Sequence, residues 1–268
     1  MPASDSIPVL LSDSEDVKKR FTEMIEETLR AVLSSYSDGS AFSGIGPYEL
    51  RKEVRDLGFL PVQGKGFDKV LEETEKVILP NMLRTWSVKY MPHLHSPALT
   101  ESICSELIIA CFNDSMDSWD QGPAATELEV SMIRGLEGLY GFPPEPADGC
   151  FPSGGSQSNI SAILAARDWY CMEKFGWDVK KKGLPPEFGK LRLYASDVSH
   201  FTMEKACHIL GMGYEAVRKV PVDSKCRMDL GAFAEMLEED VRAGLFPFCA
   251  VATLGTTDFG SIDDARGM

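Results

Sequence analysis

Three groups of residues in this sequence have the types and spacing that chemistry needs. The first is Phe151-Pro-Ser-Gly-Gly-Ser-Gln-Ser-Asn159, between a short apolar run and an amphipathic segment. Glycine and serine let a backbone turn tightly and bring its N–H groups close to a ligand. A helix starting at Ser156 would aim its positive end at the same turn, which is a construction that binds phosphate. No Gly-Lys-Ser/Thr follows, so it is not a Walker loop. Taken alone, it serves equally well as a plain strand-to-helix connection. The second group is Asp197-Val-Ser-His200, and the third is Gly255-Thr-Thr-Asp-Phe-Gly-Ser-Ile-Asp263.

The elements that must position these groups alternate. Strands are expected at Gly149–Phe151, Leu191–Ser196, Ala216–Val222 and Phe248–Leu254, with helices at Ser156–Phe175, Thr202–Leu210 and Leu230–Ala243. That rhythm predicts a largely parallel α/β sheet with both faces covered. Ligands of such sheets gather at the carboxyl ends of the strands. Gly155 and Ser156, His200, and Thr256 with Asp263 all follow strands in this reading. They converge on one rim as a cofactor pocket with a phosphate handle.

Upstream the pattern is helical. Residues Met1 to Leu11 read as an extended arm, and Ser12-Asp-Ser-Glu15 offers a capping box for a helix carrying Val17, Phe21, Met24, Leu29 and Val32. Further amphipathic helices are expected at Tyr48–Leu57 and Asp68–Leu79. Three short helices in series need another surface to bury their apolar faces, either the rest of the chain or a second copy of it. Ser96-Pro97 reads as an N-cap with proline at the first helical position. The helix after it carries Leu99, Ile103, Leu107 and Ile108. A polar, acidic loop then surrounds Trp119, and a helix spans Ala124 to Tyr140. Lys180-Lys-Lys-Gly183 reads as a solvated loop.

Composition bounds the partners. The 268 residues carry a net charge of −14, with 44% hydrophobic and 25% charged residues. This is an ordinary globular balance, and it argues against nucleic acid or an anionic membrane as partner. No apolar run reaches the roughly 18 residues of a membrane span, and the first residues lack a secretion-signal pattern. Seven scattered cysteines without a C-x-x-C pair predict reduced, mostly buried thiols and a cytoplasmic location, with no structural zinc. His93 and His95 form a His-x-His pair, but no third ligand has suitable spacing, so no metal is expected.

Pro152-Ser-Gly-Gly-Ser-Gln-Ser-Asn159, Asp197-Val-Ser-His200-Phe-Thr-Met-Glu-Lys205 and Val251-Ala-Thr-Leu-Gly-Thr-Thr-Asp-Phe-Gly-Ser-Ile-Asp263 resemble successive motifs of the group II pyridoxal-phosphate decarboxylases. The resemblance runs from about Tyr90 to the last residues, and the preceding helices fit that family's helical arm. Asn113-Asp-Ser-Met-Asp-Ser-Trp-Asp-Gln-Gly-Pro-Ala-Ala-Thr126 is similar to the diaminobutyrate and lysine decarboxylase branch. The resemblance implies an aspartate-aminotransferase-like fold (type I), with residues 1–95 as a dimerising arm and residues 96–268 as the first, incomplete part of the cofactor-binding large domain. It also implies a homodimer, pyridoxal 5′-phosphate as cofactor, and release of carbon dioxide from an amino acid.

Residue by residue, the resemblance places Gly155 and Ser156 at the cofactor phosphate and His200 against the pyridine ring. Thr256 and Asp263 fall beside the cofactor, with Asp263 not the partner of the ring nitrogen. His93 and His95 fall on the substrate side. Asp117, with Asp114 and Asp120, could meet a substrate's distal ammonium, or could simply be a solvated acidic loop. That loop favours a diamino acid such as 2,4-diaminobutyrate. Glutamate, cysteine sulfinate and aromatic amino acids are the alternatives. The family's His-Val-Asp-Ala-Ala-like and Asn-Pro-His-Lys-like segments, which bring the ring-nitrogen aspartate and the covalent lysine, have no match among these residues. The expectation is therefore a C-terminally truncated decarboxylase. The other readings are an inactive chain that pairs with a full-length partner, and a small-anion binding module.

Overall fold

A computed structural model describes residues 10–36, 39–58, 60–91, 93–143 and 147–268. Most of the arm expected over Met1 to Leu11 therefore lies outside the described residues. The chain divides into two units, Met1–Ser115 and Met116–Met268.

In the first unit, α1 spans Glu15–Ser34. Its N-cap is Ser14, with no side-chain capping bond, so the predicted capping box from Ser12 does not form. Glu15 and Asp16 instead occupy the first turn, where the helix dipole favours negative charge. Helix α2 covers Pro47–Asp56, with the proline at the helix start, where a missing N–H costs nothing. Helix α3, Phe67–Glu73, widens into a π-turn over Thr74–Ile78 and tightens to a 3-10 turn over Leu79–Asn81, which contains Pro80. Arg20 pairs with Asp68 at 3.3 Å, tying α1 to the start of α3. Buried Arg84 donates from Nε to the Ser35 carbonyl at 3.1 Å, and Ser87 donates its hydroxyl to the Gly39 carbonyl at 2.8 Å. These bonds strap the segment after α3 to the end of α1.

Helix α4 is Thr100–Phe112 and begins after Leu99, not at Ser96-Pro97. The backbone is still extended at Leu99, whose ψ is 136°. Proline biases the residue before it toward extended conformations, so Ser-Pro marks an approach to the helix here and not its first turn. Asn113, with φ 50°, closes α4 in the left-handed region. No residue of α4 is buried, although the helix carries Ile103, Leu107, Ile108, Ile109 and Phe112.

The second unit opens with α5, Pro123–Tyr140, ended by Gly141 at φ 75°. The strand expected at Gly149–Phe151 is absent: the segment forms no ladder, and the Phe151 N–H goes to the Glu129 carboxylate at 2.8 Å. A short apolar run becomes a strand only where a neighbouring backbone completes its hydrogen bonds. Helix α6 runs from Gly155 to Phe175 and closes at Gly176. The lysine run is one helical turn, α7 (Val179–Lys182), and not a loop; Asp178 caps it by accepting from the Lys181 N–H at 3.2 Å.

Strands β1 (Leu191–Ser196), β2 (Val217–Val220) and β3 (Phe246–Val251) form a parallel sheet in the order β2-β1-β3. Helices α8 (Thr202–Ile209) and α9 (Leu230–Arg242) connect them. Central β1 is buried along nearly its whole length, as expected for a strand covered on both faces. Leu191, Leu193 and Ala195 pack with Ile163 and Cys171 of α6 and with Met203, Ala206 and Cys207 of α8. Tyr194 points the other way and meets Phe233 of α9, Val220 and Met228. Its hydroxyl donates to Asp240 Oδ2 at 2.6 Å, and Arg218 Nε lies 2.9 Å from the same oxygen. Burial, helped by the Asp240 carboxylate, pushes the Tyr194 phenol above its usual range.

The cysteines divide more evenly than the sequence suggests. Cys171 and Cys207 are fully buried, whereas Cys104 and Cys150 are exposed. Burial pushes the Cys207 thiol up to about 12, from an ordinary value of 9.0. Below 9 the thiol is protonated in both the folded and unfolded states. Between 9 and about 12 only the unfolded chain loses the proton, so this group lowers stability as pH rises through that window. At pH 8 Cys207 is expected to resist a thiol reagent in the native protein and to react in denaturant; mass-spectrometric labelling that finds it modified natively would contradict this core. Among the described residues, no helix is long and apolar enough to cross a membrane.

Candidate functional site

The site is built at the carboxyl ends of β1 and β3 and at the start of α6. Helix α6 begins at Gly155 behind Gly154, and no side chain caps it. Its first intrahelical bond runs from the Ser158 N–H to the Gly154 carbonyl at 3.0 Å. The N–H groups of Gly155, Ser156 and Gln157 therefore point out of the helix start without an intrahelical acceptor. The Gln157 side-chain oxygen accepts from the Ser153 N–H at 3.1 Å and the Ser153 hydroxyl at 2.7 Å. These two bonds fold the preceding turn over the helix. A Cβ built on Gly154 or Gly155 meets nothing within 4 Å, so neither glycine is pressed against a neighbouring group. Three amides, a helix dipole and the exposed Ser156 hydroxyl form a donor set for an oxyanion.

His200 lies two residues before buried Thr202, the first residue of α8. The Thr202 N–H lies 3.3 Å from His200 Nδ1, and Thr202 Oγ1 lies 2.9 Å from the same nitrogen. Asn159, at the start of the second turn of α6, donates from Nδ2 to Thr202 Oγ1 at 2.8 Å. A continuous chain of bonds thus joins the helix start that holds Gly155 and Ser156 to His200. The His200 ring packs against Phe201 with centroids 4.1 Å apart at a tilt of 31°, and the Lys205 ammonium lies 4.4 Å from the Phe201 ring centroid.

The third group is ordered mainly by bonds to itself. Thr256 is buried, its hydroxyl paired with that of Ser261 at 2.8 Å and accepting from the Ser261 N–H at 3.1 Å. Thr257, on the same turn, is exposed. Gly255 takes a φ of 121° that a side chain would strain. Asp263 is buried, and both its oxygens are taken by backbone amides: Oδ1 accepts from Met228 at 2.7 Å and Oδ2 from Thr253 at 2.8 Å. Its carboxylate stitches the end of β3 to the loop before α9.

Sequence reasoning passed over two features. Ser196, Ser199 and Thr253 form a hydroxyl chain, with steps of 2.9 and 3.0 Å, that bridges the ends of β1 and β3. The strand-end rule that found His200 also points to Ser199. Asn159 was legible only as the last residue of the Gly/Ser turn, and its tie to Thr202 spans 43 positions.

The remaining candidates stand on other segments of the chain. Asp117 is exposed in the loop before α5; beside it the Ser118 hydroxyl donates to Asp120 at 2.7 Å and Trp119 Nε1 to Glu127 at 2.9 Å. His93 and His95 belong to the first unit, with rings 5.7 Å apart and Tyr90 Oη 3.0 Å from His95 Nδ1. Among the described residues, no three His, Cys, Asp or Glu side chains are grouped to hold a metal.

These features belong to a known class of chain. The pyridoxal-dependent decarboxylase conserved domain matches residues 52–268, and the chain belongs to that family. L-2,4-diaminobutyrate decarboxylase of Acinetobacter baumannii is 32% identical over 262 residues, covering 95% of this chain and 50% of that protein. The enzyme of the same name from Rhizobium meliloti is 32% identical over 255 residues, covering 95% and 49%. The crystal structure of the glutamate decarboxylase domain of diaminobutyrate-pyruvate transaminase and L-2,4-diaminobutyrate decarboxylase from Vibrio parahaemolyticus superimposes with a TM-score of 0.89 at 33% identity, over 95% of this chain and 55% of that one. The chain thus spans about half the length of the relatives it matches. The expected fold, the incomplete type I large domain, is borne out.

Proposed function

We propose that these 268 residues form the first part of a pyridoxal-phosphate-dependent decarboxylase acting on an L-diamino acid such as 2,4-diaminobutyrate. The carrying observation is the uncapped start of α6, tied through Asn159 and Thr202 to His200. The donor set fits a phosphate monoester: three amides and the Ser156 hydroxyl offer hydrogen bonds, and the glycines leave the approach open. His200 provides a flat aromatic surface beside that cup, suited to a pyridine ring. Of the threonine pair, Thr257 is available to a ligand, while Thr256 and Asp263 hold the rim in shape. The cofactor, when bound, supplies an electron sink for loss of the substrate carboxylate.

The diamino-acid reading rests on the names of the two similar enzymes and on Asp114, Asp117 and Asp120, acids exposed in the second unit or just before it. A second cation on the substrate would find attraction there. A homodimer is supported by α4, which exposes Ile103, Leu107, Ile108, Ile109 and Phe112; exposed apolar surface of that extent marks an association face.

The test is a titration of the purified chain with pyridoxal 5′-phosphate and with pyridoxal, followed by absorbance and fluorescence. Binding is expected to favour the phosphorylated compound by at least about tenfold, the worth of one or two charge-assisted hydrogen bonds. Equal binding of the two would remove the phosphate cup. The chain alone is expected to form no borohydride-fixable adduct at a homologous lysine and to release no carbon dioxide from 2,4-diaminobutyrate. Robust turnover would overturn the reading that these residues are part of a site.

A further inference from the structure

We infer that Thr202 is a positioning residue that fixes the proton of His200 on Nε2, and that Asn159 sets the direction of the Thr202 hydroxyl, so that the anion-binding helix start and the histidine are mechanically one unit. The inference rests on the proposed cofactor site for its functional meaning, but its geometry stands without a cofactor.

The direction of each bond follows from one backbone donor. The Thr202 N–H has no other role it can play toward His200 Nδ1, 3.3 Å away, than donor. Nδ1 therefore presents its lone pair, and in a neutral imidazole the proton must then sit on the other nitrogen. The Thr202 hydroxyl, 2.9 Å from the same lone pair, donates to it as well. With its hydrogen committed, Thr202 Oγ1 is left as an acceptor, and Asn159 Nδ2 fills that place at 2.8 Å. Thr202 is 2% exposed, so water does not compete for these bonds. The result is a three-residue relay with one polarity, running from α6 through α8 to a ring that presents Nε2–H outward.

Two structural elements give the relay its stiffness. Asn159 sits at the start of the second turn of a 21-residue helix whose first amides form the anion cup. Thr202 is locked at the first turn of α8 beside Met203 and Ala206, which are core residues. A shift of the α6 start must therefore move the Thr202 hydroxyl, and with it the ring.

The test uses the chain with 15N-labelled histidine and reads the tautomer of each ring from long-range 1H–15N spectra. His200→Gln assigns the His200 signals among the four histidines. Wild type is expected to show one tautomer, with an acceptor Nδ1. Thr202→Val, which keeps the shape and the backbone N–H but removes the hydroxyl, is expected to keep Nδ1 as acceptor while moving its 15N signal toward that of a lone pair without a hydroxyl donor, and Thr202→Ser to restore the wild-type signal. Asn159→Asp replaces a donor by an acceptor, so it should draw the Thr202 hydrogen toward residue 159 and move the Nδ1 signal in the same direction as Thr202→Val. Thermal melts identify any variant that fails to fold; the serine and aspartate variants keep the comparison if the valine variant does. Pyridoxal 5′-phosphate is expected to bind Thr202→Val about tenfold more weakly than wild type, in line with one lost buried hydrogen bond. A wild-type His200 with its proton on Nδ1, or a His200 Nδ1 signal in Thr202→Val unchanged from wild type, overturns the inference. If the Nδ1 signal responds as stated and the cofactor does not bind even wild type, the cofactor reading fails and the relay stands.

Discussion

Ser156→Asp is expected to abolish pyridoxal 5′-phosphate binding while leaving the fold unharmed or slightly more stable. Position 156 is in the first turn of α6, where the amides face outward without a cap. A carboxylate there suits the positive end of a helix and adds about 0.3–1 kcal/mol. The same carboxylate stands where the phosphate must sit. A phosphate ester carries about −1.5 to −2 charges at neutral pH, and two like charges about 4 Å apart repel by about 4 kcal/mol per unit pair at a near-surface effective dielectric. Even strongly screened, that repulsion predicts a loss of affinity of at least about a hundredfold. The two readouts thus move in opposite directions, which a merely disruptive substitution would not produce. Titration with the cofactor and a thermal melt on the same sample decide it. Affinity within threefold of wild type would mean that the phosphate binds elsewhere.

The second large effect is structural. Asp263→Ala leaves the Met228 and Thr253 amides without their acceptor at a site where the side chain is 3% exposed. Each orphaned buried donor costs about 1–3 kcal/mol, so the pair threatens a large part of the 5–15 kcal/mol that typically holds a domain together. Asp263→Asn is expected to fall between, because its one carbonyl oxygen satisfies one amide while its NH2 opposes the other. Denaturant unfolding should rank the proteins wild type, Asn, Ala. If Asp263→Ala matched wild type in stability while losing the cofactor, the carboxylate would be a ligand contact and not a brace.

Asp263 also shows where reading the sequence reaches its limit. Its place after an apolar strand and a Gly-Thr-Thr turn drew attention for the right geometric reason, since strand ends carry sites. Whether such an acid faces a ligand or the fold depends on which amides lie opposite, and Met228 is 35 positions away. Thr256 and Thr257 present the same problem. Adjacent residues on a turn point in different directions, and only the closure of that turn by Ser261 assigns the buried hydroxyl to Thr256.

By itself the sequence determined the alternation of β1, α8, β2, α9 and β3, the start and end of α6 to within a residue, and the arrival of the Gly/Ser turn and His200 at one rim. Those properties follow from local periods of apolar residues and from glycine and serine at turns, which act over a few positions. Only the tertiary structure decided that Gly149–Phe151 forms no strand, because pairing needs a neighbour that periodicity does not name. It also decided that Asn159, Thr202 and His200 are one bonded unit. Side chains 43 positions apart in sequence meet because α6 and α8 pack on the same face of β1, and that packing is set by the whole sheet.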